Sequence, residues 1–339
     1  MNILFDINHP VDINFFKKAI QETGKTGHGV ILTYRERGAL GPIIQHELGA
    51  FNPIRVGLHY TRFTTKVIGQ LRRDLAFLSL QRKNRVGLSV CFGPTNVIAS
   101  WLNRIPYLAF EDDSEYKIPF YHANLFATRH IMPSYINVKR KNIHFYKGFK
   151  ELAYLHPSCF TPSRDALKPY GLDPGGYAFV RKVAGVSLNY KKDDDLDLRV
   201  VKKIRSLGLK VLLSLEDKRL RGEYENDCMI LKEPLEDVFS LIKFAALTVT
   251  SGDSVARESC LLGTPTVYAG RREMAVNKQL VELGCLFKED TVEDILQRID
   301  FLSSHAIREE IEQRIRWHIE HVWDDTTQVI LSHIKDFTG

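Results

Sequence analysis

The chain has 339 residues, which is enough for about two domains of ordinary size. Hydrophobic residues make up 44% of it and charged residues 26%, proportions that are typical of a globular protein and exclude a disordered or fibrous one. The net charge of +6 is too small to indicate nucleic-acid binding, although it is compatible with an anionic ligand.

The distribution of residues argues against two further classes. No apolar run is long enough to span a bilayer, and the first residues lack the basic start and the cleavage site of a signal peptide. The five cysteines are scattered and form no CxxC pair, which is typical of free thiols in a reducing compartment. We therefore expect a cytoplasmic enzyme.

Short apolar runs alternate with helical periodicity in the first half of the chain. The predicted strands there are ILFDI, GVILTYR, IRVGLHY, VGLSVCFG and PYLAFED, and the longest predicted helix covers residues 63–81. Strands that alternate with helices indicate a parallel sheet covered on both faces.

The alternation stops between residues 139 and 162, around Gly148 and two prolines, and then resumes. The predicted strands of the second half are YAFVRKV, KVLLSLED, LTVTSG and PTVYAG. We predict an α/β fold of two doubly wound, Rossmann-like parallel-sheet domains, 1–155 and 156–315, facing a central cleft. A C-terminal helix, 316–339, is expected to pack back toward the first domain. Ligands should bind beyond the carboxyl ends of the strands.

The segment LTVTSGDSVARESCLLGTPTVY carries the clearest chemical signal. A buried strand is followed by a tight turn of small residues and a helix start, where main-chain N–H groups and the helix dipole suit a phosphate. The residues at this turn are Thr250, Ser251, Gly252, Asp253 and Ser254. Glu258 lies one helical turn further on and could accept hydrogen bonds from a ribose. An ordinary capped turn with an exposed glutamate would show the same spacing, so both interpretations stay open.

The same segment resembles the donor-nucleotide segment of glycosyltransferases with the two-domain GT-B fold, and it is similar to that of the non-hydrolysing UDP-N-acetylglucosamine 2-epimerases. Three further segments resemble a prokaryotic family of predicted glycosyltransferases: FDINHPVDINFFKKAI, YKGFKELAYL and FTPSRDALKPYGL. The resemblance extends from Asn2 to about Glu289. It implies a nucleotide-sugar donor, expected to be UDP-linked, as a substrate rather than a cofactor, and it implies no metal.

The resemblance also implies roles for individual residues. The turn at 250–254 would hold the donor phosphates, Glu258 would bind the ribose, and Arg181 would lie near the diphosphate. Asp253 departs from the pattern, because glycine is usual there and a carboxylate repels a diphosphate unless a cation intervenes. We expect Asp253 to turn outward as the helix N-cap.

Two predicted strand ends of the first domain bear on the reaction. GPT at 93–95 stands where the epimerases carry Gly-Asp-Thr, and the missing acid argues against epimerisation. Glu111, Asp112 and Asp113 follow the next strand, and they could orient an acceptor hydroxyl, bind a metal or form a solvated loop. Lys150 and Glu151 could form a salt bridge at the hinge or contact a ligand.

An inverting sugar transfer needs a base for the acceptor proton, and His9 and Asp12 in LFDINHPVDINFF are the leading candidates, with Glu111 and Asp112 as further ones. The ordinary pKa of histidine suits the role. Asp12 would need a raised pKa, or it could orient His9 or cap the helix. His318 and His321 lack further ligands and are interpreted as structural.

The segment 62–85 is basic and has helical periodicity. Its basic residues are Arg62, Lys66, Arg72, Arg73, Arg82, Lys83 and Arg85, with Asp74 as the one acid. Its apolar residues are Val67, Ile68, Leu71, Leu75 and Leu78. Such a helix could lie on an anionic membrane at the inner face, or its apolar side could pack on the sheet.

These observations predict a GT-B glycosyltransferase that moves a sugar from a nucleotide sugar to a glycan or lipid-linked acceptor in surface polysaccharide synthesis. Two alternatives stay open. One is a nucleotide-sugar 2-epimerase or hydrolase of the same fold. The other is a catalytically idle nucleotide-sugar-binding protein.

Overall fold

The computed structural model describes residues 1–60, 63–112, 117–138, 140–183, 196–231 and 237–339, without the side chains of Phe63 and Lys66. The chain divides into two compact units. Unit 1 consists of Met1–Cys159 and Trp323–Gly339, and unit 2 consists of Phe160–Val322. Each unit contains one parallel β-sheet flanked by helices, so the predicted α/β class is confirmed.

Unit 1 contains a seven-stranded sheet. Its strands are β1 (Asn2–Ile7), β2 (Gly29–Glu36), β3 (Ile54–Leu58), β4 (Val86–Phe92), β5 (Tyr107–Phe110), β6 (Arg129–Pro133) and β7 (Ile143–Tyr146). Its first six helices are α1 (Pro10–Lys25), α2 (Leu40–Leu48), α3 (Phe63–Lys83), α4 (Val97–Leu102), α5 (Lys117–Phe126) and α6 (Leu152–Leu155). The strand order is β3-β2-β1-β4-β5-β6-β7, and all neighbours are parallel.

The core of unit 1 forms where α1 packs on the sheet. Ile13, Phe16 and Ile20 recur at helical spacing and are buried. The ring of Phe16 meets that of Phe5 on β1 edge-on, with centroids 5.8 Å apart. This packing fixes the start of α1 beside the carboxyl end of β1.

Unit 2 contains a six-stranded sheet. Its strands are β8 (Tyr177–Lys182), β9 (Lys210–Leu215), β10 (Met229–Ile230), β11 (Leu247–Thr250), β12 (Thr266–Tyr268) and β13 (Leu286–Lys288). Its helices are α7 (Leu198–Ser206), α8 (Arg221–Tyr224), α9 (Val238–Lys243), α10 (Asp253–Leu261), α11 (Ala275–Glu282), α12 (Val292–Leu302) and α13 (His305–His321). The strand order is β10-β9-β8-β11-β12-β13, and all neighbours are parallel.

The end of the chain differs from the predicted single helix over 316–339. Helix α13 ends at His321, and a separate helix, α14 (Thr326–Thr338), lies in unit 1. Asp325 caps α14 by accepting a hydrogen bond from the main-chain N–H of Gln328 (3.2 Å). Isoleucine recurs every four residues in α13, from Ile307 to Ile319, and this spacing does not continue into α14. The C-terminal segment that belongs to unit 1 begins at Trp323.

The boundaries between the units also differ from the expected ones. They fall after Cys159 and Val322, a few residues later in the chain than the expected positions 155 and 315. Gly148 has a φ of +121°, a conformation that favours glycine, and a Cβ at this position would lie 3.2 Å from Trp323 Cβ within unit 1. None of the described helices combines the length and the hydropathy needed to cross a membrane.

Candidate functional site

Both sheets have a topological switch point, where the chain leaves one side of the first strand and continues on the other. In unit 1 it lies between β1 and β4, and in unit 2 between β8 and β11. Loops that diverge at such a point leave a crevice at the carboxyl ends of the strands, which is the usual ligand site of doubly wound sheets. The candidate residues of each unit follow these strands.

The turn after β11 is held by its own side chains. The Thr250 hydroxyl accepts a hydrogen bond from the main-chain N–H of Gly252 (2.9 Å), and the Ser251 hydroxyl accepts one from Val183 (3.1 Å). Gly252 is the N-cap of α10, and no described side chain caps this helix. The first-turn N–H groups of α10 are therefore oriented for an anion.

Asp253 does not turn outward as the N-cap, so this expectation is wrong. It is the first residue of α10 and is 4% exposed. Its carboxylate accepts a hydrogen bond from the Tyr268 hydroxyl and is paired with Arg272 Nη1 at 2.9 Å. Tyr268 ends β12, the strand next to β11, and so lies beside Asp253. The negative charge of Asp253 is therefore paired with the positive charge of Arg272.

Ser254 and Glu258 lie on α10, one helical turn apart. Ser254 is partly buried and Glu258 is 7% exposed, so the alternative of an exposed glutamate is wrong.

Arg181 lies next to the turn because β8 pairs with β11, with Arg181 opposite Thr250. Its Nη1 donates to the Ser214 hydroxyl (2.6 Å), and its Nη2 lies 3.7 Å from Glu216 Oε2. The side chain is 21% exposed and is oriented by contacts on and just after β9, which is the neighbour of β8 on the side away from β11. The residues of unit 2 that were predicted to bind the sugar donor thus lie on, or directly after, the neighbouring strands β8 and β11.

In unit 1, His9 is the N-cap of α1 and Asp12 occupies the third helical position. Asp12 Oδ2 accepts hydrogen bonds from the main-chain N–H groups of Asn8 (2.9 Å) and His9 (3.0 Å). The N–H of Val11 donates to His9 Nδ1 (3.3 Å). The two side chains therefore form a capping box, and the suggested N-cap position of Asp12 belongs to His9.

The surroundings shift these two pKa values in opposite directions. Burial raises the pKa of Asp12 from 3.8 to about 7, although the two main-chain hydrogen bonds oppose this. Partial burial, and then the positive charges of Arg37 and Lys150, lower the pKa of His9 well below 6.5. Because Nδ1 accepts the Val11 N–H, neutral His9 carries its proton on Nε2 and acts there as a donor.

Glu111 and Asp112 are both 8% exposed, so they do not form a solvated loop, and Asp113 lies outside the described residues. Glu111 Oε2 lies 2.8 Å from Nε2 of the fully buried His130. Asp112 Oδ2 is paired with Lys150 Nζ at 2.7 Å. Lys150 also lies 5.4 Å above the Phe92 ring at the end of β4.

Sequence reasoning missed a buried ion pair at the carboxyl end of β1. Arg73 of α3 is 2% exposed and donates from Nη2 to both carboxylate oxygens of Asp6, at 2.7 Å each. Asp6 also accepts from the Asn8 side chain (3.0 Å), which precedes His9. Arg73 was predicted as part of a basic surface, but its role is to anchor the end of β1. Residues 67 positions apart in sequence carry no local signal of this contact.

A metal site would need several ligating side chains close together in the part of the chain that the structure describes. That part contains no group of three or more His, Cys, Asp or Glu side chains arranged to hold a metal ion. The rings of His318 and His321 are engaged instead with the main-chain carbonyls of Arg314 (2.8 Å) and Trp317 (2.9 Å).

In a comparison of sequences, the second half of the chain matches a family of unknown function. Residues 190–338 match the family described as "Protein of unknown function (DUF354)". The chain is also 20% identical over 313 residues to "Uncharacterized protein MJ0665" of Methanocaldococcus jannaschii, covering 88% of this chain and 91% of that one.

Comparison of structures gives the fold. MnaA of S. aureus, solved with UDP, matches with a TM-score of 0.72 at 12% identity, over 100% of this chain and 97% of that one. UDP-GlcNAc 2-epimerase of Neisseria meningitidis matches with a TM-score of 0.72 at 11% identity, over 99% of this chain and 100% of that one. MurG of Acinetobacter baumannii matches with a TM-score of 0.67 at 13% identity, over 99% of this chain and 100% of that one. The protein therefore has the GT-B fold, as its motifs predicted, and this fold is shared by epimerases and glycosyltransferases.

Proposed function

We propose that the protein is a glycosyltransferase that moves a sugar from a UDP-linked donor to a hydroxyl of a glycan or lipid-linked acceptor in surface polysaccharide synthesis. The observation that carries the proposal is the turn after β11, where small residues precede the start of α10 and no described side chain caps it. Relatives of the same fold include one solved with UDP and one solved with UDP-GlcNAc.

The donor is assigned to unit 2. The first-turn main-chain N–H groups of α10, from Asp253 onward, and the Arg181 guanidinium would bind the diphosphate, and the buried Glu258 would accept hydrogen bonds from the ribose. As the bond between the anomeric carbon and the phosphate oxygen breaks, the same groups would stabilise the departing negative charge. Arg272 would keep Asp253 neutralised beside it.

The acceptor proton is assigned to Asp12 rather than His9. The acceptor oxygen would bond to the anomeric carbon while its proton passes to the Asp12 carboxylate. A carboxyl with a pKa of about 7 is half ionised near neutral pH and is a stronger base than an ordinary aspartate. His9, with its lowered pKa and its proton on Nε2, would instead donate a hydrogen bond to the acceptor or the sugar.

A thermal-shift panel tests the donor assignment. UDP and UDP-sugars should raise the unfolding midpoint more than GDP, dTDP or CMP, because a ligand that binds only the folded state stabilises it. Glu258→Gln should weaken the response to UDP by about tenfold or more, since a buried partner of two hydroxyls is lost. Glu312→Gln, which alters a carboxylate paired with Lys243 elsewhere in unit 2, should leave it unchanged. A panel with no response would remove the basis of the proposal.

One specific observation favours a second candidate, a nucleotide-sugar 2-epimerase. Several similar structures are such enzymes, and Glu111 is buried against His130 at a strand end where the resemblance to the epimerases implies a catalytic acid. Pro94 stands where those enzymes carry an acid, which counts against it.

Incubation with UDP-GlcNAc and no acceptor separates the candidates. A C2-epimerised sugar would establish the epimerase, and free UDP with an unaltered sugar would establish a hydrolase. Transfer that appears only with an added acceptor supports the proposal. Tight binding without turnover across an acceptor panel would favour a catalytically idle binding protein.

A further inference from the structure

Helix α3 presents its apolar residues to solvent rather than to the sheet. The side that meets the sheet carries Arg73, Phe77 and Gln81, each 2% exposed or less. The opposite side carries Ile68, Leu71 and Leu75, which are 50%, 60% and 66% exposed. The expectation that the apolar side would pack on the sheet is therefore wrong for these three residues, because the polar network at the end of β1 occupies the inner side.

Helices α4 and α5 continue this apolar surface. Leu78 of α3 accepts a hydrogen bond at its carbonyl from Asn103, just after α4 (3.1 Å), and Trp101 of α4 packs on Phe126 of α5 with centroids 5.4 Å apart. The three helices therefore lie side by side. On α4, Trp101 and Leu102 are more than half exposed.

Helix α5 contributes the most exposed apolar side chains of the group. Ile118, Tyr121 and Leu125 are 74%, 53% and 72% exposed. With Val67, nine of the 17 exposed large hydrophobic side chains among the described residues lie on α3, α4 and α5. Single exposed hydrophobic residues are normal on a protein surface, but a concentration of this kind marks an interaction site. We call these nine side chains the α3–α5 face.

The charges within the three helices that form the α3–α5 face are almost all positive. Arg72, Arg82, Lys83 and Lys117 are exposed on α3 and α5. The only acid in the sequences of the three helices is Asp74, which is partly buried and hydrogen-bonded to Gln70 (3.0 Å), and burial raises its pKa. An apolar surface bordered by cations complements an anionic lipid surface, where tryptophan and tyrosine also favour the headgroup level.

A second copy of the chain fits the α3–α5 face less well. A two-fold interface places the same patch on both subunits, so Arg72 and its neighbours would face cations of the partner copy. Like charges brought together in this way oppose association. The charge pattern therefore favours a bilayer over a dimer.

We propose that the α3–α5 face docks the protein on an anionic membrane surface. The apolar side chains of the three helices insert at the headgroup boundary, and the bordering arginines and lysines contact the lipid phosphates. This inference concerns a surface separate from the nucleotide site, so it stands or falls independently of the proposed sugar transfer.

Co-sedimentation with lipid vesicles tests the proposal. The full-length protein should bind vesicles of phosphatidylcholine mixed with phosphatidylglycerol, and it should bind pure phosphatidylcholine vesicles far less. Binding should weaken as salt is added, since the positive border acts through a screened charge interaction. Equal binding to both vesicle types, or none to either, would overturn the proposal.

Variants locate the surface. Leu71→Glu combined with Leu75→Glu should weaken binding by about tenfold or more, and both positions are exposed enough for the fold to tolerate the change. Trp101→Ala should also weaken binding, whereas Trp317→Ala, at an equally exposed tryptophan of unit 2, should not. An unchanged thermal midpoint and UDP response would show that each variant is folded.

Sedimentation equilibrium of the same variants tests whether a second copy of the chain covers the α3–α5 face instead. The substitutions Leu71→Glu and Leu75→Glu should leave the oligomeric state of the protein unchanged. A wild-type dimer that these substitutions dissociate, together with no vesicle binding, would assign the face to a second copy and overturn the proposal.

Discussion

Replacing Asp12 by asparagine should stabilise unit 1 in alkaline solution and leave it nearly unchanged in acid. The Asp12 carboxyl is buried, and its pKa is raised from 3.8 to about 7. Because the folded state holds this proton more tightly than the unfolded state, the contribution of the group to stability is greatest below pH 3.8. It is lost as the pH rises through about 7.

The size of the effect follows from the pKa shift. A shift from 3.8 to about 7, at 1.36 kcal/mol for each pH unit, corresponds to about 4 kcal/mol as an upper bound above pH 8. Asparagine keeps an oxygen that can accept the main-chain N–H groups of Asn8 and His9, so the capping box loses its charge but not its geometry. The variant should gain up to this amount at high pH and almost nothing near pH 4.

Urea denaturation at a series of pH values measures the difference between the two proteins. Trp101 and Trp323 lie in unit 1, so fluorescence in a Trp317→Phe background reports on that unit alone. Glu22→Gln, which also lies in unit 1, is a control of opposite sign, because hydrogen bonds from Lys25 and Lys18 lower the pKa of Glu22. It should therefore destabilise at neutral pH. An Asp12→Asn variant that is less stable than the wild type at high pH would refute the reasoning.

Three further outcomes are expected. Asp6→Ala should cost about 3–5 kcal/mol because it leaves Arg73 charged and buried, whereas Asp336→Ala, at an exposed ion pair, should change little in the same urea titration. Gly148→Ala should cost about 1–3 kcal/mol, since φ is +121° and a Cβ would lie 3.2 Å from Trp323 Cβ; an unchanged urea midpoint would contradict this strain. The rate of sugar transfer should rise with pH through about 7 and fall at least about a hundredfold in Asp12→Asn, and a pH-independent rate would exclude Asp12 as the base.

Much of the fold could be predicted because its signals are local. Apolar runs such as ILFDI, and the helical recurrence of Ile13, Phe16 and Ile20, depend only on residues a few positions apart. The turn at 250–254 was predictable for the same reason, since a strand end, small residues and a helix start follow one another directly. The predictions missed the strands β6, β7, β10 and β13, none of which exceeds five residues, and also helices that include α2, α11 and α12.

The errors concern side chains whose partners are distant in sequence. Asp253 was expected to cap a helix and face solvent, but the pairing of β11 with β12 places Tyr268 next to it. Asp12 was considered as the N-cap of α1, but His9 holds that position, because α1 begins at Pro10, three residues before the start that an Asp12 cap implies. In each case a local rule identified a polar residue at a helix start but not the partner that determines its role.

The two α/β units, the strand–turn–helix that contains residues 250–254 and the apolar stripe along α3 could all be predicted from the amino-acid sequence, because each depends on the pattern of residues within one segment. Which side of α3 is buried depends instead on contacts between residues that are distant in the chain. The pairing of Arg73 with Asp6 draws the polar side inward and leaves Leu71 and Leu75 in solvent. A buried charge must find its partner wherever the chain supplies one, and periodicity does not encode that partner.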